Sequence, residues 1–276
     1  MWPFRSVKPL KVHLYTICWN EQYMLPFFFR HYDELVDKYI VFDDGSTDSS
    51  LEIMQDHPKV EVRPLPRLDK DSYVLAAKQL HDTCWKESRG KADWVILTAI
   101  DEFLYHPDLK AYIRNCRKNG VTIAPALGYQ MISETLPGPD KRLTDSVKKG
   151  APDNNMNKLI LFDPNAIRET NFHVGRHNAM PTGKLIYPEK DELLNLHYKY
   201  LSFDNVVQRH RELDDKRGSM DKEKGWGFHY QWTNAELKAD WDRVFENAVE
   251  DVFSPGYDPS TQHSPIHERW WRVRQG

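Results

Sequence analysis

The chain has 276 residues, a formal net charge of −3 and a hydrophobic fraction of 40%, which suits one α/β domain with a packed core. This balance of charge excludes a dedicated nucleic-acid binder, because no uniformly basic surface is implied. The three scattered cysteines are typical of a reducing compartment. Because the sequence also shows neither a signal-peptide core nor a membrane-spanning run, we expect a cytoplasmic protein.

The first 125 residues predict strands that alternate with helices. Short apolar runs predict five strands, at 12–17, 39–42, 60–63, 94–100 and 121–124. Apolar residues spaced for one helical face predict four helices, at 23–35, 49–55, 72–87 and 109–119. Such alternation is typical of a mostly parallel sheet with helices on both faces. We therefore predict an α/β, Rossmann-like fold.

The chain after residue 126 is less regular. Residues 137–183 are rich in Pro, Gly, Asn and Asp, which predicts long ordered loops. A short strand is expected at 193–196. Thr233 and Glu236 have the spacing of a capping box, and we predict that it opens a helix ending near Phe253.

These patterns indicate a single domain over residues 1–253, with a half at 11–125, a less regular half at 126–253, and a tail at 254–276. We expect the tail to be extended, because it contains three prolines and a glycine before residue 268. Its tryptophans and arginines suit peripheral contact with a membrane surface or a partner. Packing of the tail against the domain is the alternative. The residues concerned are Arg269, Trp270, Trp271, Arg272 and Arg274.

Acidic residues follow two of the predicted strands. Asp43 and Asp44 come after the second strand, and Asp101 and Glu102 follow the fourth. In open α/β sheets ligands bind beyond the carboxyl ends of the strands. Carboxylates there can accept hydrogen bonds from a nucleoside or hold a divalent cation. The alternative for each pair is a role in capping the next turn or helix.

Two sequence motifs carry a resemblance to a known family. Residues 41–48 read VFDDGSTD, and residues 93–104 read DWVILTAIDEFL. In this order and spacing the chain resembles the family 2 glycosyltransferases of the GT-A fold, closely over 11–130 and more loosely over 155–230. The resemblance implies a nucleotide-sugar donor and a glycan acceptor, with a donor half before residue 125 and an acceptor half after it. The donor contacts that it implies are Thr16, Asn20, Glu21, Asp43, Asp44 and Ser46.

The second motif also implies a metal site for Mn²⁺ or Mg²⁺, held through a DxD sequence. The first acidic position of that sequence aligns with Ala99, and only Asp101 remains. Either Asp101 and one other ligand are sufficient to hold the cation, or the cation binds more weakly. His197-Tyr198 is similar to a His-Tyr pair of related transferases, so we predict His197 as a further ligand, against a purely structural histidine.

The segment from Arg209 to Tyr230 is rich in basic residues and contains two glycines beside Trp226. This composition suits a lid that closes over a pyrophosphate, with Arg217 and Trp226 in contact with the donor. The interleaved acidic residues equally fit an exposed charged helix.

Inverting glycosyl transfer needs a base near the acceptor hydroxyl. Glu134 is the first candidate, because it follows an apolar run and is expected at a strand end. Asp145 and His177 are further candidates. A retaining mechanism would need no such base, and the family resemblance favours inversion.

We therefore predict a metal-dependent glycosyltransferase. A nucleotidyltransferase is one alternative, although the chain lacks a glycine-rich phosphate loop near the first strand. A catalytically impaired nucleotide-sugar-binding module is the other, and Ala99 is its best support.

Overall fold

The computed structural model describes residues 9–67 and 71–273. The strands are β1 (Val12–Cys18), β2 (Lys38–Asp43), β3 (Val60–Pro64), β4 (Trp94–Leu97), β5 (Glu102–Tyr105), β6 (Ile123–Ser133), β7 (Gly150–Pro152), β8 (Lys158–Phe162), β9 (Ile167–Glu169), β10 (Thr182–Gly183) and β11 (Leu194–Leu201). The helices are α1 (Leu25–Tyr32), α2 (Ser50–Gln55), α3 (Tyr73–Thr83), α4 (Leu109–Lys118), α5 (Leu143–Ser146), α6 (Phe203–Lys216), α7 (Ser219–Glu223), α8 (Asn234–Glu246), α9 (Pro259–Gln262) and α10 (Trp270–Val273).

The described residues form one nine-stranded sheet and a small β9–β10 pair. Strands β3, β2, β1 and β4 are parallel neighbours in that order. Strand β8 pairs antiparallel with both β4 and β6, so β6 runs in the same direction as β4. Strand β11 is parallel to β6, whereas β5 and β7 are antiparallel to their partners. Six of the nine strands therefore share one direction, which confirms the predicted sheet.

The two faces of β1 bury different clusters. Leu14 lies on one face and belongs to the same core cluster as Phe28 of α1. Tyr15 lies on the other face, in a second cluster with Leu80 of α3 and the buried Trp85. Because successive side chains of a strand point to opposite faces, this apolar run requires a cover on each side. Helices α1 and α3 provide the two covers.

Local signals place the helix ends. Ser72 caps α3 through its hydroxyl, and Asp108 caps α4 through its carboxylate. Gly120, at φ 72°, follows the end of α4. Thr233 and Glu236 form both hydrogen bonds of the predicted capping box. That helix, α8, ends at Glu246 and not near residue 253.

Strand β5 is the main element that the sequence analysis missed. The predicted strand 94–100 ends early, at Leu97, and the chain then reverses. The amide of Glu102 donates to the carbonyl oxygen of Ala99 at 3.2 Å, which closes a tight turn. Apolar residues on both sides concealed this turn, because Ile100, Phe103 and Leu104 are all buried as well. Asp101 consequently lies on the turn between two strands.

The tail packs against the domain, which corrects the expectation of an extended tail. Trp271 and Arg269 are 0% and 1% exposed. Asp191, itself buried, accepts hydrogen bonds from the Trp271 indole at 2.9 Å and from Arg269 and Arg272 at 2.7 Å. A buried carboxylate needs such partners, so Asp191 fixes the tail.

Membrane contact through the tail stays a prediction. The side chains of Trp271 and Arg269 cannot take part in such contact, because they are buried. Arg274 and the first eight residues lie outside the described residues. Within the described part of the chain, every helix is too short or too polar to cross a membrane.

Candidate active site

The loops after β1 and β2 are tied together by hydrogen bonds. Asn20 has a φ of 51°, and its backbone amide donates to the Ser46 hydroxyl at 3.0 Å. Its side-chain oxygen accepts from the backbone amide of Thr47 at 2.7 Å. The amide of Glu21 donates to the Ser50 hydroxyl at 2.7 Å. These contacts make the two loops one surface at the carboxyl edge of the parallel strands, where a ligand is expected.

The two acids of the DDGSTD turn have different surroundings. The Asp43 carboxylate accepts from the amides of Gly45 at 3.0 Å and Ser46 at 3.2 Å, so it stabilises the turn, as the capping alternative expected. The Asp44 side chain is 5% exposed and is held by Arg67 at 2.5 Å and Lys216 at 2.7 Å. Asp44 therefore lies in a basic environment.

No pattern in the sequence indicated Arg67 as a partner of Asp44. Arg67 follows β3 as Asp44 follows β2, and these strands are parallel neighbours. That register is the signal that would have found the pair. Lys216 also lies 3.8 Å from the centroid of the Trp19 ring, a cation–π contact.

Glu21 pairs with Arg209 at 2.5 Å between Oε1 and Nη2. Arg209 also donates to the carbonyl oxygen of Trp19 at 3.0 Å. Burial raises the pKa of Glu21 to about 8, although Arg209 opposes this shift, and the charge of Asp101 adds to it. Glu21 and Arg209 thus lie within electrostatic reach of the predicted metal ligand.

Asp101 and His197 meet, as the sequence analysis predicted. The Asp101 Oδ2 atom lies 3.1 Å from the His197 Nε2 atom. The two residues lie at the same end of the antiparallel pairing between β5 and β11, because Asp101 directly precedes Glu102, which faces His197. Burial raises the pKa of Asp101, but His197 outweighs this effect and the net pKa is below its ordinary value.

Glu102 lies within 4.8 Å of the same pair, but its carboxylate is already engaged. Lys158 contacts one oxygen and Arg176 the other, the latter at 3.1 Å, and all three side chains are at most 6% exposed. Arg176 also donates to the carbonyl oxygen of Leu97 at 2.7 Å. Burial raises the pKa of Glu102, but the two cations lower it more strongly. Glu102 is therefore a buried ion-pair partner and not a free ligand.

Gln130 and Asp153 extend the site on the other side of His197. The His197 Nδ1 atom lies 2.7 Å from the Gln130 Oε1 atom, and Gln130 Nε2 donates to Asp153 Oδ2 at 2.8 Å. Gln130 faces His197 because β6 and β11 are paired in that register. Neither residue was predicted from the sequence, since neither belongs to a recognisable motif.

Thr16 does not line this site, and Asp145 belongs to helix α5. Thr16 is 1% exposed within β1, and its hydroxyl contacts the carbonyl oxygen of Ile17, so it does not line the open edge. Burial raises the pKa of Tyr198, and the charge of Asp145 adds to this rise. Asp145 is exposed in α5, whose Leu143 belongs to the same core cluster as Tyr198. Tyr198 points to the face of β11 opposite His197, and Asp145 as a catalytic base stays a prediction.

The other candidates lie along the same edge. Glu134 is exposed and directly follows β6. His177 contacts the carbonyl oxygen of Asn155 through Nδ1 at 2.5 Å, and burial, with the charge of Lys158, lowers its pKa. Ala99 is half-buried on the turn before Asp101.

The predicted lid is ordered helix and turn. Residues 203–216 and 219–223 are helical, as expected from the alternative of a charged helix in place of a lid. Arg209 and Lys216 nevertheless face the edge of the sheet. Asp221 is buried and accepts from the Ser72 hydroxyl and from the amide of Tyr73 at 2.9 Å, so it caps α3.

Close packing and further contacts fix the same segment. A methyl group on Gly218 would lie 1.9 Å from the carbonyl oxygen of Asp71. The Arg217 side chain is 6% exposed and bonds to Asp214 at 2.9 Å. Trp226 is half-buried, and its amide donates to the Asp221 carbonyl oxygen at 2.9 Å.

The pairing of a carboxylate with an imidazole fits a divalent cation such as Mn²⁺. Asp101 offers an oxygen ligand and His197 a nitrogen ligand, from side chains that are 34% and 14% exposed. A cation bound there would neutralise negative charge on a diphosphate leaving group. The remaining positions would be open to substrate oxygens, because Ala99 contributes no ligand.

An α/β sheet with this carboxylate–imidazole pair at its carboxyl edge, beside an acidic turn, defines a GT-A-like domain. Residues 13–239 match the model of glycosyltransferase family 92, and the chain belongs to this family. It is therefore a glycosyltransferase. The resemblance to GT-A-like glycosyltransferases is confirmed in this coarser form, whereas the family 2 label is not. No curated protein matches the sequence significantly.

Solved structures that align with the chain share little sequence with it. Residues 1–349 of S. aureus TarS align at 10% identity and a TM-score of 0.38, over 95% of this chain and 78% of that one. Glucosyl-3-phosphoglycerate synthase from Mycobacterium tuberculosis, solved with Mn²⁺ and UDP, aligns at 16% identity and a TM-score of 0.31. That alignment covers 43% of this chain, which spans only 44% of the synthase.

Proposed function

We propose that the protein is a metal-dependent glycosyltransferase that moves a sugar from a nucleoside-diphosphate sugar, with UDP as the first nucleotide to test, to a glycan acceptor. We further propose Mn²⁺ as the cation, polysaccharide assembly as the setting and inversion as the stereochemical course. The observation that carries this proposal is the contact between Asp101 and His197 at the carboxyl edge of the sheet. A carboxylate and an imidazole so placed form an incomplete ligand set, which a diphosphate can complete.

Basic side chains beside this pair support a diphosphate as the ligand. Arg209 and Lys216 come from α6 and lie against Trp19. Lys216 and Arg67 also hold Asp44. A nucleotide that hydrogen-bonds to the Asp44 carboxylate would compete with its ion pairs to Arg67 and Lys216. These two cations would then be available to contact the phosphates of the nucleotide. In our proposal the acidic turn and the basic helix therefore bind the two ends of the nucleotide, with Asp43, Ser46, Arg217 and Trp226 nearby.

An inverting transferase needs a base that takes the proton of the acceptor hydroxyl. Glu134 remains the first candidate, since it follows β6, which runs in the same direction as β4, and is open to solvent. His177 is the second candidate, because its lowered pKa keeps the ring neutral and able to accept a proton. Replacing the true base should reduce kcat much more than nucleotide affinity.

The test is calorimetric titration with UDP, GDP and dTDP, with and without Mn²⁺. Micromolar binding of one nucleotide that Mn²⁺ tightens is the expected result. An Ala99→Asp variant should bind Mn²⁺ more tightly still, because it adds a carboxylate ligand at the turn. If no nucleotide binds to either protein, the proposed function is wrong.

The half-buried Ala99 also favours one alternative, a nucleotide-sugar-binding module with impaired catalysis. The product released from a sugar nucleotide separates the possibilities. A transferase slowly releases nucleoside diphosphate in the absence of an acceptor, a nucleotidyltransferase releases pyrophosphate from a nucleoside triphosphate, and a binding module releases neither.

A further inference from the structure

Four residues with aromatic or imidazole rings lie together in one short turn after helix α7. Residues 228–232 read FHYQW, and we name this segment the aromatic turn. The centroid of the His229 ring lies 4.2 Å from that of Tyr230. The rings of Phe228 and Trp232 lie 5.8 Å and 6.0 Å from His229. Phe228 is 61% exposed and the other three residues are half-buried, so the rings form a surface and not a core.

The aromatic turn packs against helix α6, beside a cation of the predicted donor site. The Tyr230 ring lies 5.3 Å from the ring of His210, which directly follows Arg209 in the helix. Tyr230 also folds back over Gly227, where an added methyl group would lie 2.9 Å from the Tyr230 ring. Burial raises the pKa of Tyr230 to about 12, and the charge of Asp101 adds to this rise. The turn therefore borders the candidate active site.

The rings of the aromatic turn carry polar atoms that make no hydrogen bond with any other described residue. These atoms are the two ring nitrogens of His229, the hydroxyl of Tyr230 and the indole nitrogen of Trp232. Polar atoms inside a protein almost always have a partner. The three side chains are half-buried, so a ligand that enters from solvent can supply the partners.

A sugar ring matches this combination of apolar faces and free polar atoms. One face of a pyranose carries several C–H groups, whose partial positive charge suits the negative face of an aromatic ring. Its hydroxyl groups both donate and accept hydrogen bonds, as the free atoms of His229 and Tyr230 require. The nucleotide is expected at the loops after β1 and β2, so a sugar at the aromatic turn would belong to the acceptor.

Exposed aromatic residues also occur at membrane surfaces, where binding strength grows with the apolar area that is buried. Phe228 is the one apolar residue of the aromatic turn that is mainly exposed, and Trp232 is half-buried. A single exposed ring offers little area for insertion. The unused polar atoms beside it therefore favour a sugar over a lipid surface.

We propose that the aromatic turn is the subsite that binds the acceptor glycan. Phe228 and Trp232 pack against the C–H face of a sugar ring, and His229 and Tyr230 form hydrogen bonds with its hydroxyl groups. This inference rests on the proposed function, which supplies a glycan as the acceptor. It adds four residues to the site, and none of them is a predicted donor contact, metal ligand or base.

Matched variants separate aromatic stacking from general apolar contact. Phe228→Leu keeps an apolar side chain but removes the ring, whereas Phe228→Tyr keeps the ring. Trp232→Leu and Trp232→Phe form the same comparison at the second position. Tyr230→Phe removes only the hydroxyl. Ile266→Ala is the control for the loss of exposed apolar surface, because Ile266 is exposed in the tail.

The probes are linear hexasaccharides of glucose, galactose, mannose and N-acetylglucosamine, titrated with UDP and Mg²⁺ present and absent. Binding is followed by the NMR signals of the protein's aromatic rings, and Mg²⁺ is used because Mn²⁺ broadens these signals. We expect one hexasaccharide to shift the signals of Phe228 and Trp232 in the wild type. This direct measurement decides the question even if a variant does not fold, which circular dichroism checks.

The variants should change hexasaccharide affinity and leave UDP affinity unchanged. Phe228→Leu and Trp232→Leu should each weaken hexasaccharide binding by roughly 2- to 10-fold, as expected for the loss of one aromatic contact. Tyr230→Phe should weaken it by roughly 2- to 10-fold through the loss of one hydrogen bond. Phe228→Tyr, Trp232→Phe and Ile266→Ala should bind like the wild type.

The inference is overturned if none of the four hexasaccharides binds, or if Phe228→Leu and Trp232→Leu bind them as the wild type does. Cosedimentation with phosphatidylcholine–phosphatidylglycerol vesicles that depends on Phe228, without hexasaccharide binding, would assign the turn to a membrane instead. If a hexasaccharide binds at the turn but no nucleotide binds with a metal ion, the proposed function fails and the glycan site stands. Nucleotide binding without hexasaccharide binding gives the reverse result.

Discussion

The buried contacts of Glu102 make a strong prediction about stability. Glu102→Gln preserves the shape of the side chain and removes its charge. Lys158 and Arg176 would then be two buried cations, 6% and 4% exposed, without the carboxylate that now lies between them. Burying unpaired charge is costly, and the two cations would also repel each other.

The size of the effect follows from measurements on other buried ion pairs. Removing one partner typically costs about 3–5 kcal/mol, which is a large part of the roughly 5–15 kcal/mol that stabilises a typical native protein. For a chain of this length each kcal/mol lowers Tm by about 2–4 °C. We therefore expect the Tm of Glu102→Gln to fall by about 6–20 °C.

Thermal and urea unfolding followed by circular dichroism would test this prediction. Glu246→Gln is the control, because Glu246 is exposed at the end of α8. A second substitution, Lys158→Met in the Glu102→Gln background, should recover part of the loss by removing one unpaired cation. Equal stability of Glu102→Gln and the control, or no recovery in the double variant, would refute the reasoning.

Other sites give smaller and distinct effects. Burial raises the pKa of Glu21 to about 8, from about 4.5 in an unfolded chain, so Glu21 should bind its proton more tightly in the native state. The free energy of unfolding should therefore fall between those values, by at most about 1.4 kcal/mol per pH unit. Glu21→Gln should flatten the slope, and unchanged slopes would contradict this. Asp221→Ala should cost about 1–2 kcal/mol in urea unfolding, because it removes the carboxylate that accepts from the first amide of α3, unlike the exposed Asp215→Ala. Gly218→Ala should cost about 1–3 kcal/mol by overpacking, whereas Gly256→Ala should be neutral in the same assay, because its methyl group would make only an ordinary contact with the Ser254 hydroxyl at 3.9 Å.

The sequence was a good guide to the first half of the fold. Helices α1 to α4 and strands β1 to β3 lie where apolar periodicity and turn residues predict them. The irregular half was harder, because β6, β7 and β8 depend on pairing with distant strands and not on local pattern. The turn at Ala99 was missed for the same reason, since buried residues continue on both sides of it.

The candidate site, like the fold, was predicted only in part. Asp101 and His197 were predicted as a pair and are in contact. Arg67, Lys158 and Gln130 were missed, because an ion-pair or hydrogen-bond partner is determined by register across the sheet and leaves no motif in the chain. The burial of Thr16 was also not foreseen, because a strand pattern alone does not say which face meets the ligand.

The position of β5 has a consequence for synthesis of the protein. Among the described residues, β5 pairs only with β11, and about 90 residues separate the two in the chain. A ribosome adds about 5–20 residues per second, so roughly 5–20 seconds pass before the partner is made. Throughout this interval an apolar strand with a free edge waits beside a nascent chain, where it can pair with another molecule. The contact between Asp101 and His197 joins the turn before β5 to β11, so it can form only after both segments have been made.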